Sequence, residues 1–318
     1  MRVIFVCVIA TVFLSKYLFS DNQKPYFKII PDIFYAGTEN PRQTLDLYLP
    51  NKTKLISGNS NPLPVIIWIH GGGWKNGSKE SARLAYRLPE ILNTARYAGV
   101  SINYRLSGEE KWPSQIHDCK AAVRWIRANA EKYNFDKKRI AAWGSSAGGH
   151  LVSMLAATNG VEKFEGKIGK NREFSSEVHA VVNFFGPSNF LKMDNFPSKI
   201  FHRGPNSPES RLLGKALDKV PELAKKASPY HHINKNLPPF IHFHGTDDPL
   251  VPYNQSLILH QKLLSKGNKS TLITVQNGLH SMPTHFTRRW VIPFLDYHFY
   301  GTGSPPITQT VIVDRKKI

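Results

Sequence analysis

Trp143-Gly144-Ser145-Ser146-Ala147-Gly148-Gly149 links an apolar run at 139–143 to a run of small and apolar residues at 147–157. The first run reads as a strand and the second as a helix, so these residues form a strand-to-helix turn. They contain the pattern G-x-S-x-G with Ser146 at its centre. A sharp turn of this kind holds the serine in a strained conformation and exposes its hydroxyl above the sheet. Gly144 and Gly148 have no side chains, so strand and helix can approach closely. With glycine near ~7% of residues, chance alone supplies the pattern in roughly one chain in ten. Its weight comes from its place between a strand and a helix.

Toward the N-terminus, residues 65–69 form a continuous apolar run, which reads as a strand buried on both faces. His70-Gly71-Gly72-Gly73-Trp74 ends that strand. Three glycines leave backbone N–H groups free to converge on an anion, an arrangement that stabilises a developing oxyanion. Gly72 and Gly73 are the candidate donors, together with the N–H of Ala147. A phosphate-binding use is set aside, because the chain has no G-x-G-x-x-G and no Gly-Lys-Ser or Gly-Lys-Thr after these glycines. Trp74 is a candidate wall of the substrate pocket, with core packing as an equal reading. For Trp112 core packing is the stronger reading.

Toward the C-terminus, His244-Gly245-Thr246-Asp247-Asp248-Pro249-Leu250-Val251-Pro252 follows a strand at 240–244. A carboxylate in this loop can reach a histidine on the next one. Asp248 is the first choice and Asp247 the alternative. His280 follows a further helix and strand, and His285 is the reserve. The order serine, acid, histidine is that of the α/β-hydrolase triad and differs from those of chymotrypsin and subtilisin. His231-His232 and His242-x-His244 have the look of metal ligands, but no third ligand has a matching spacing. No metal and no organic cofactor is expected.

Strand and helix patterns alternate along the rest of the chain. Strands are read at 27–35, 44–49, 65–69, 100–104, 139–143, 178–185, 240–244 and 270–275. Helices are read at 79–95, 114–133, 147–157, 255–265 and 285–299. Leu45, Leu47 and Leu49 alternate with polar residues, which predicts a half-exposed antiparallel strand. Ile116, Cys119, Val123, Ile126 and Ala130 make one apolar helical stripe. The order predicts an α/β protein with a mostly parallel central sheet and helices on both faces. Residues 187–232 interrupt the alternation with short helical pieces broken by Pro197, Pro205, Pro208, Pro221 and Pro229. They read as a small cap inserted over one end of the sheet. There Phe190, Met193, Phe196, Ile200 and Phe201 either form an apolar lid or pack on the core.

Together the two glycine motifs and the 244–252 loop resemble α/β-hydrolase esterases of the hormone-sensitive-lipase-like, HGGGW-bearing type. Asn103-Tyr104-Arg105-Leu106, Pro113-Ser114-Gln115-Ile116-His117-Asp118 and Ala227-Ser228-Pro229 add to the resemblance, which runs over roughly residues 40–300. The chain is especially similar to exported bacterial carboxylesterases and to acetyl or feruloyl esterases of carbohydrate breakdown. The resemblance implies the α/β-hydrolase fold, Ser146 as nucleophile, and Asp248 and His280 as its partners. It also implies an ester substrate, short-chain or carbohydrate-linked with an acetyl or aromatic acyl group, small or polymer-borne. Leu279 and Ser281-Met282-Pro283 depart from the small residues expected around this histidine. The rival readings are an amidase, formamidase or peptidase on the same fold, and a non-catalytic hydrolase-fold binding module.

The chain has 318 residues, 41% of them apolar and 20% charged, ordinary values for a globular protein. They exclude a disordered, collagen-like or multi-span membrane chain. Residues 1–20 read as a signal peptide, since Arg2 precedes an apolar run at 3–14 that is too short to span a bilayer. An uncleaved anchor is the rival reading. A secreted or periplasmic protein follows, with residues 21–318 as one hydrolase domain and no stable membrane span. Without Cys7 the remaining cysteine is Cys119, so no internal disulfide is expected. Lys and Arg number 42 against 23 Asp and Glu, a net charge of +19. The first reading of this balance is a solvated basic surface with no partner, and the second is an anionic polysaccharide or an anionic surface. The basic residues are scattered, and no run resembles a nucleic-acid-binding motif.

Overall fold

A computed structural model describes residues 27–51, 61–85 and 87–312. The signal-peptide reading at 1–20 lies outside the described residues. Among these, nine strands form one sheet in the order β1-β2-β4-β3-β5-β6-β7-β8-β9. They are β1 (Phe27–Phe34), β2 (Thr44–Pro50), β3 (Leu63–Ile69), β4 (Ala98–Ile102), β5 (Phe135–Ser145), β6 (Ala180–Phe184), β7 (Phe240–Gly245), β8 (Ser270–Gln276) and β9 (Gln309–Ile312). The helices are α1 (Ser81–Leu84), α2 (Arg87–Leu92), α3 (Ser114–Ala128), α4 (Ala130–Tyr133), α5 (Ala147–Ala157), α6 (Pro208–Leu213), α7 (Pro221–Lys226), α8 (Asn254–Ser265) and α9 (Ile292–Tyr300). β2 runs antiparallel to β1 and β4, and every other neighbouring pair is parallel.

Side chains alternate across each strand, so the sheet builds two cores. Val65, Ile67 and Ile69 of β3 join Ile116 and Cys119 of α3, Leu151 of α5 and Leu259 of α8 on one face. Ile66 and Trp68 join Leu88 and Ile91 of α2 and Phe294 of α9 on the other. Helices on both faces give the α/β class expected from the alternation. The chain leaves β3 toward β4 on one side, then returns to β5 and continues the other way. Loops after β3 and β5 therefore diverge, and a crevice opens at their C-terminal ends.

Several elements differ from expectation. β2 is not half-exposed: Leu45, Asp46, Leu47 and Tyr48 are all buried. The strand lies between β1 and β4 in a sheet covered on both faces, and its polar Asp46 accepts a 2.6 Å bond from Lys79 Nζ. The helix read at 79–95 is two short pieces, α1 and α2. Pro89 has no N–H to give the Ala85 carbonyl, so a continuous helix would leave that turn unbonded. The helix at 114–133 is likewise divided, at Asn129, though its stripe from Ile116 to Ala130 is buried. The strand read at 100–104 begins two residues earlier. The last helix starts with a π-helical turn over Thr287–Val291. β9, a short strand of Gln309–Ile312, was not anticipated.

Between β6 and β7 lie α6, α7 and three short 3-10 pieces. Pro208, Pro221 and Pro229 each open one of these pieces, where the missing N–H costs nothing. Phe190, Leu212, Leu217 and Ala224 belong to the α3–α5 core. Among the described residues no helix is long and apolar enough to cross a membrane.

Candidate active site

The loops after β3, β5, β7 and β8 emerge at one edge, because these strands are parallel. They carry Gly72, Gly73, Trp74, Ser146, Asp248 and His280, with Ala147 at the start of the helix that follows β5. Ser146 stands between β5 and α5 with φ 54° and ψ −121°, a strained backbone for a residue with a side chain. Two bonds hold it there: its N–H donates to Phe184 O at 2.8 Å, and its own carbonyl accepts from His150 N at 3.0 Å. The flanking glycines are required. A Cβ on Gly144 would sit 2.4 Å from Gly148 O, and one on Gly148 would sit 2.0 Å from Ile69 O.

Asp248 is buried, and its two oxygens are fully used. Oδ1 accepts the N–H groups of Leu250 at 2.9 Å and Val251 at 3.0 Å. Oδ2 accepts from His280 Nδ1 at 2.6 Å and His244 Nε2 at 3.1 Å. Burial alone would raise the carboxyl's pKa. The bonds from His244 and His280 outweigh it and hold the group well below the usual carboxylate range. The alternative acid, Asp247, is exposed, as is the reserve His285. With Nδ1 bonded to Asp248, His280 keeps Nε2 for a proton. Its ring lies 4.4 Å from that of Phe185, centroid to centroid.

Ser146 and His280 line one cleft of about 450 Å³ with Gly72, Gly73, Trp74 and Ala147. Among the described residues no hydrogen bond joins Ser146 Oγ to His280 Nε2; such catalytic bonds often tighten only when substrate binds. Ala147 opens α5, where the first N–H groups have no acceptor within the helix. Gly72 and Gly73 have φ 107° and 58°. His70 braces this loop. It stacks on Tyr104 with 4.3 Å between centroids. Arg42 Nη2, which can only donate, meets its Nε2 at 3.2 Å. Nδ1–H must then be the donor to Gly71 O, at 2.7 Å. Burial, with Arg42 nearby, pushes the His70 pKa down to about 3 and keeps it neutral.

Trp74 serves both readings: it borders the cleft and is 1% exposed. Its ring meets His150 and Phe190 edge-on at 5.1 and 5.5 Å. Trp112 packs against His150 from another direction. Of the lid candidates, Phe190 and Met193 are core, Ile200 borders the cleft, and Phe201 is 71% exposed. Cys119 is buried in the core, and burial pushes its thiol pKa well up.

The sequence reading missed His244 as a partner of Asp248. Its Nε2 also meets Val251 O, and its Nδ1 meets Ser256 Oγ at 2.7 Å. The signal was present as the i, i+4 spacing of His244 and Asp248 in one motif. His202 and Glu209 were also missed; both border the cleft from the segment after β6. A larger cleft, about 1130 Å³, is lined by Arg105, His117 and Arg124 and by none of the residues above. Among the described residues no group of three His, Cys, Asp or Glu side chains is placed to hold a metal ion.

A family model described as BD-FAE matches residues 45–263. Esterase LipC of Mycobacterium tuberculosis (strain ATCC 25618 / H37Rv) is 30% identical over 229 residues, 71% of this chain and 53% of LipC. The chain spans about half the length of the curated relatives it matches. Among solved structures, a truncated carbohydrate esterase from gut microbiota superposes with TM-score 0.77 at 32% identity, covering 88% of this chain and 98% of that one. A bifunctional GH43-CE protein of Bacteroides eggerthii gives TM-score 0.77 at 34% identity, covering 89% of this chain and 36% of that one.

Proposed function

The chain belongs to the BD-FAE family, and from this premise we propose that it is a serine carboxylesterase acting on short-chain or carbohydrate-linked esters. One observation carries the reading. His280 is bonded to a buried, ionised Asp248 in the same cleft as a strained, helix-opening Ser146. The esterase names of the relatives, and the carbohydrate esterase among the structural neighbours, support it.

In this mechanism Ser146 Oγ attacks the ester carbonyl while His280 Nε2 takes its proton. Asp248 fixes the imidazole with Nδ1–H inward and stabilises its cation. The carbonyl oxygen becomes an oxyanion against the N–H groups of Gly72, Gly73 and Ala147, each worth ~2.7–4 kcal/mol in related sites. The alcohol leaves with the proton from His280. Water, deprotonated by His280, then attacks the acyl-serine and releases the acid. We place the enzyme's work outside the cytoplasm, on the strength of residues 1–20, and its basic charge suits an anionic polymer or surface nearby.

The deciding experiment is hydrolysis of p-nitrophenyl acetate, butyrate and octanoate by the chain without residues 1–20, beside its Ser146→Ala variant. Turnover in the first and none in the second is expected, with labelling of the first alone by a fluorophosphonate. Folded protein inert on every ester, or an active Ser146→Ala variant, overturns the reading.

A further inference from the structure

The catalytic cleft holds one polar pair that the mechanism does not use. Glu209 is the second residue of α6, and His202 lies seven residues before it. They are 2% and 1% exposed. His202 Nδ1 donates to Glu209 Oε2 at 3.0 Å. His202 is itself held in place. Its N–H donates to Asp194 Oδ1 at 2.7 Å, and its Nε2 lies 3.2 Å from Ser198 Oγ. Ser198 Oγ reaches the Pro249 and Leu250 carbonyls, beside Asp248. The pair also sits against the oxyanion loop, since a Cβ on Gly73 would come within 3.4 Å of Pro208 Cβ.

The second carboxylate oxygen, Oε1, has no partner among the described residues. This oxygen is not sealed from solvent but opens onto the cleft, where water or a substrate hydroxyl can donate to it. The cleft around it is largely apolar, with Trp74, Phe185, Ile200, Leu250 and Val251 in its walls. A fitting ligand therefore has an apolar body and a hydroxyl edge. A free acid group would be repelled.

We propose that Glu209, oriented by His202, is a specificity-determining residue that accepts a hydroxyl group of the substrate near the scissile ester. The proposal rests on the esterase reading above. Two substrates carry this chemistry: a sugar acetylated beside a free hydroxyl, or a phenolic aromatic acyl ester.

The test compares kcat/KM for paired esters that differ in one capped hydroxyl. One pair is methyl ferulate and methyl 3,4-dimethoxycinnamate. The other is monoacetylated methyl xyloside with its remaining hydroxyls free or methylated. In the wild type one pair should favour the free hydroxyl by about tenfold or more, mainly through KM. Which pair responds identifies the source of the hydroxyl. In Glu209→Gln, and in His202→Gln should the first variant fold poorly, that ratio should fall toward one. A purely structural role would lower both members of a pair equally and leave the ratio intact. A wild-type ratio near one in both pairs, or a ratio that survives these substitutions, overturns the proposal. Wild-type protein inert on p-nitrophenyl acetate overturns the esterase reading itself.

Discussion

Asp248 illustrates how a single residue's environment sets its role. Four donors meet its two oxygens, so it stays ionised and cannot turn. Asp248→Asn would replace an acceptor with an amide that can offer N–H toward His280, favouring the wrong imidazole tautomer. A drop in kcat of about 10³–10⁴-fold is expected in a variant that still folds, with a lowered melting temperature because the amide loses two of the four donors; a loss under tenfold would overturn Asp248 as the orienting acid. Gly148 makes a structural demand at the same scale. Its added Cβ would fall 2.0 Å from Ile69 O, a backbone atom of the central strand. Gly148→Ala should therefore yield little folded protein, which circular dichroism of the purified chain will show. Ser146, the glycines and His280 were legible in the sequence, because a turn this tight demands particular residue types in a fixed local order. Asp248 was the first choice over Asp247, and it is Asp248 that is buried and bonded to His280, while Asp247 is exposed.

Among the elements, the N-terminal half of the sheet depends on one buried ammonium. Lys79 Nζ lies 2.6 Å from Asp46 of β2, 2.9 Å from Asp32 of β1 and 3.2 Å from Glu80. It ties the segment before α1 to two strands. Lys79→Met would leave Asp46 buried without its partner and should cost about 3 kcal/mol. Urea unfolding measures this, and a cost below about 1 kcal/mol would show that the cluster is incidental. β2 misled the sequence reading for the same reason. Alternation of Leu with polar residues ordinarily marks a solvated face, yet here Asp46 is polar because it meets Lys79, thirty-three residues away. Elements that are apolar on both faces, such as β3 and α5, were read correctly, because a continuous apolar run signals burial whichever element covers it.

For the molecule as a whole, acid is the expected weakness. His70 and His242 are fully buried, with pKa values pushed down by burial to about 3, and His150 to about 4. The unfolded chain takes up protons at these positions near pH 6.5. The folded chain does so only near pH 3–4. Their contribution to stability is complete above pH 6.5 and is lost as pH falls from there toward 4, with a slope of up to about 4 kcal/mol per pH unit for the three together. Urea midpoints from pH 7.5 to 4.5 should fall accordingly, and His242→Leu should make the fall shallower. Midpoints constant over that range would rule this out.

The sequence by itself determined the layering, the sheet's mostly parallel sense and the loops that carry the candidate site residues. Those follow from apolar periodicity and from turns that admit few residue types. Only the tertiary structure decided that Asp248 has a second histidine, that β2 is covered on both faces and that His202 and Glu209 reach the cleft. Each depends on a contact between elements, and its partner is chosen by the packing of the sheet rather than by neighbours along the chain.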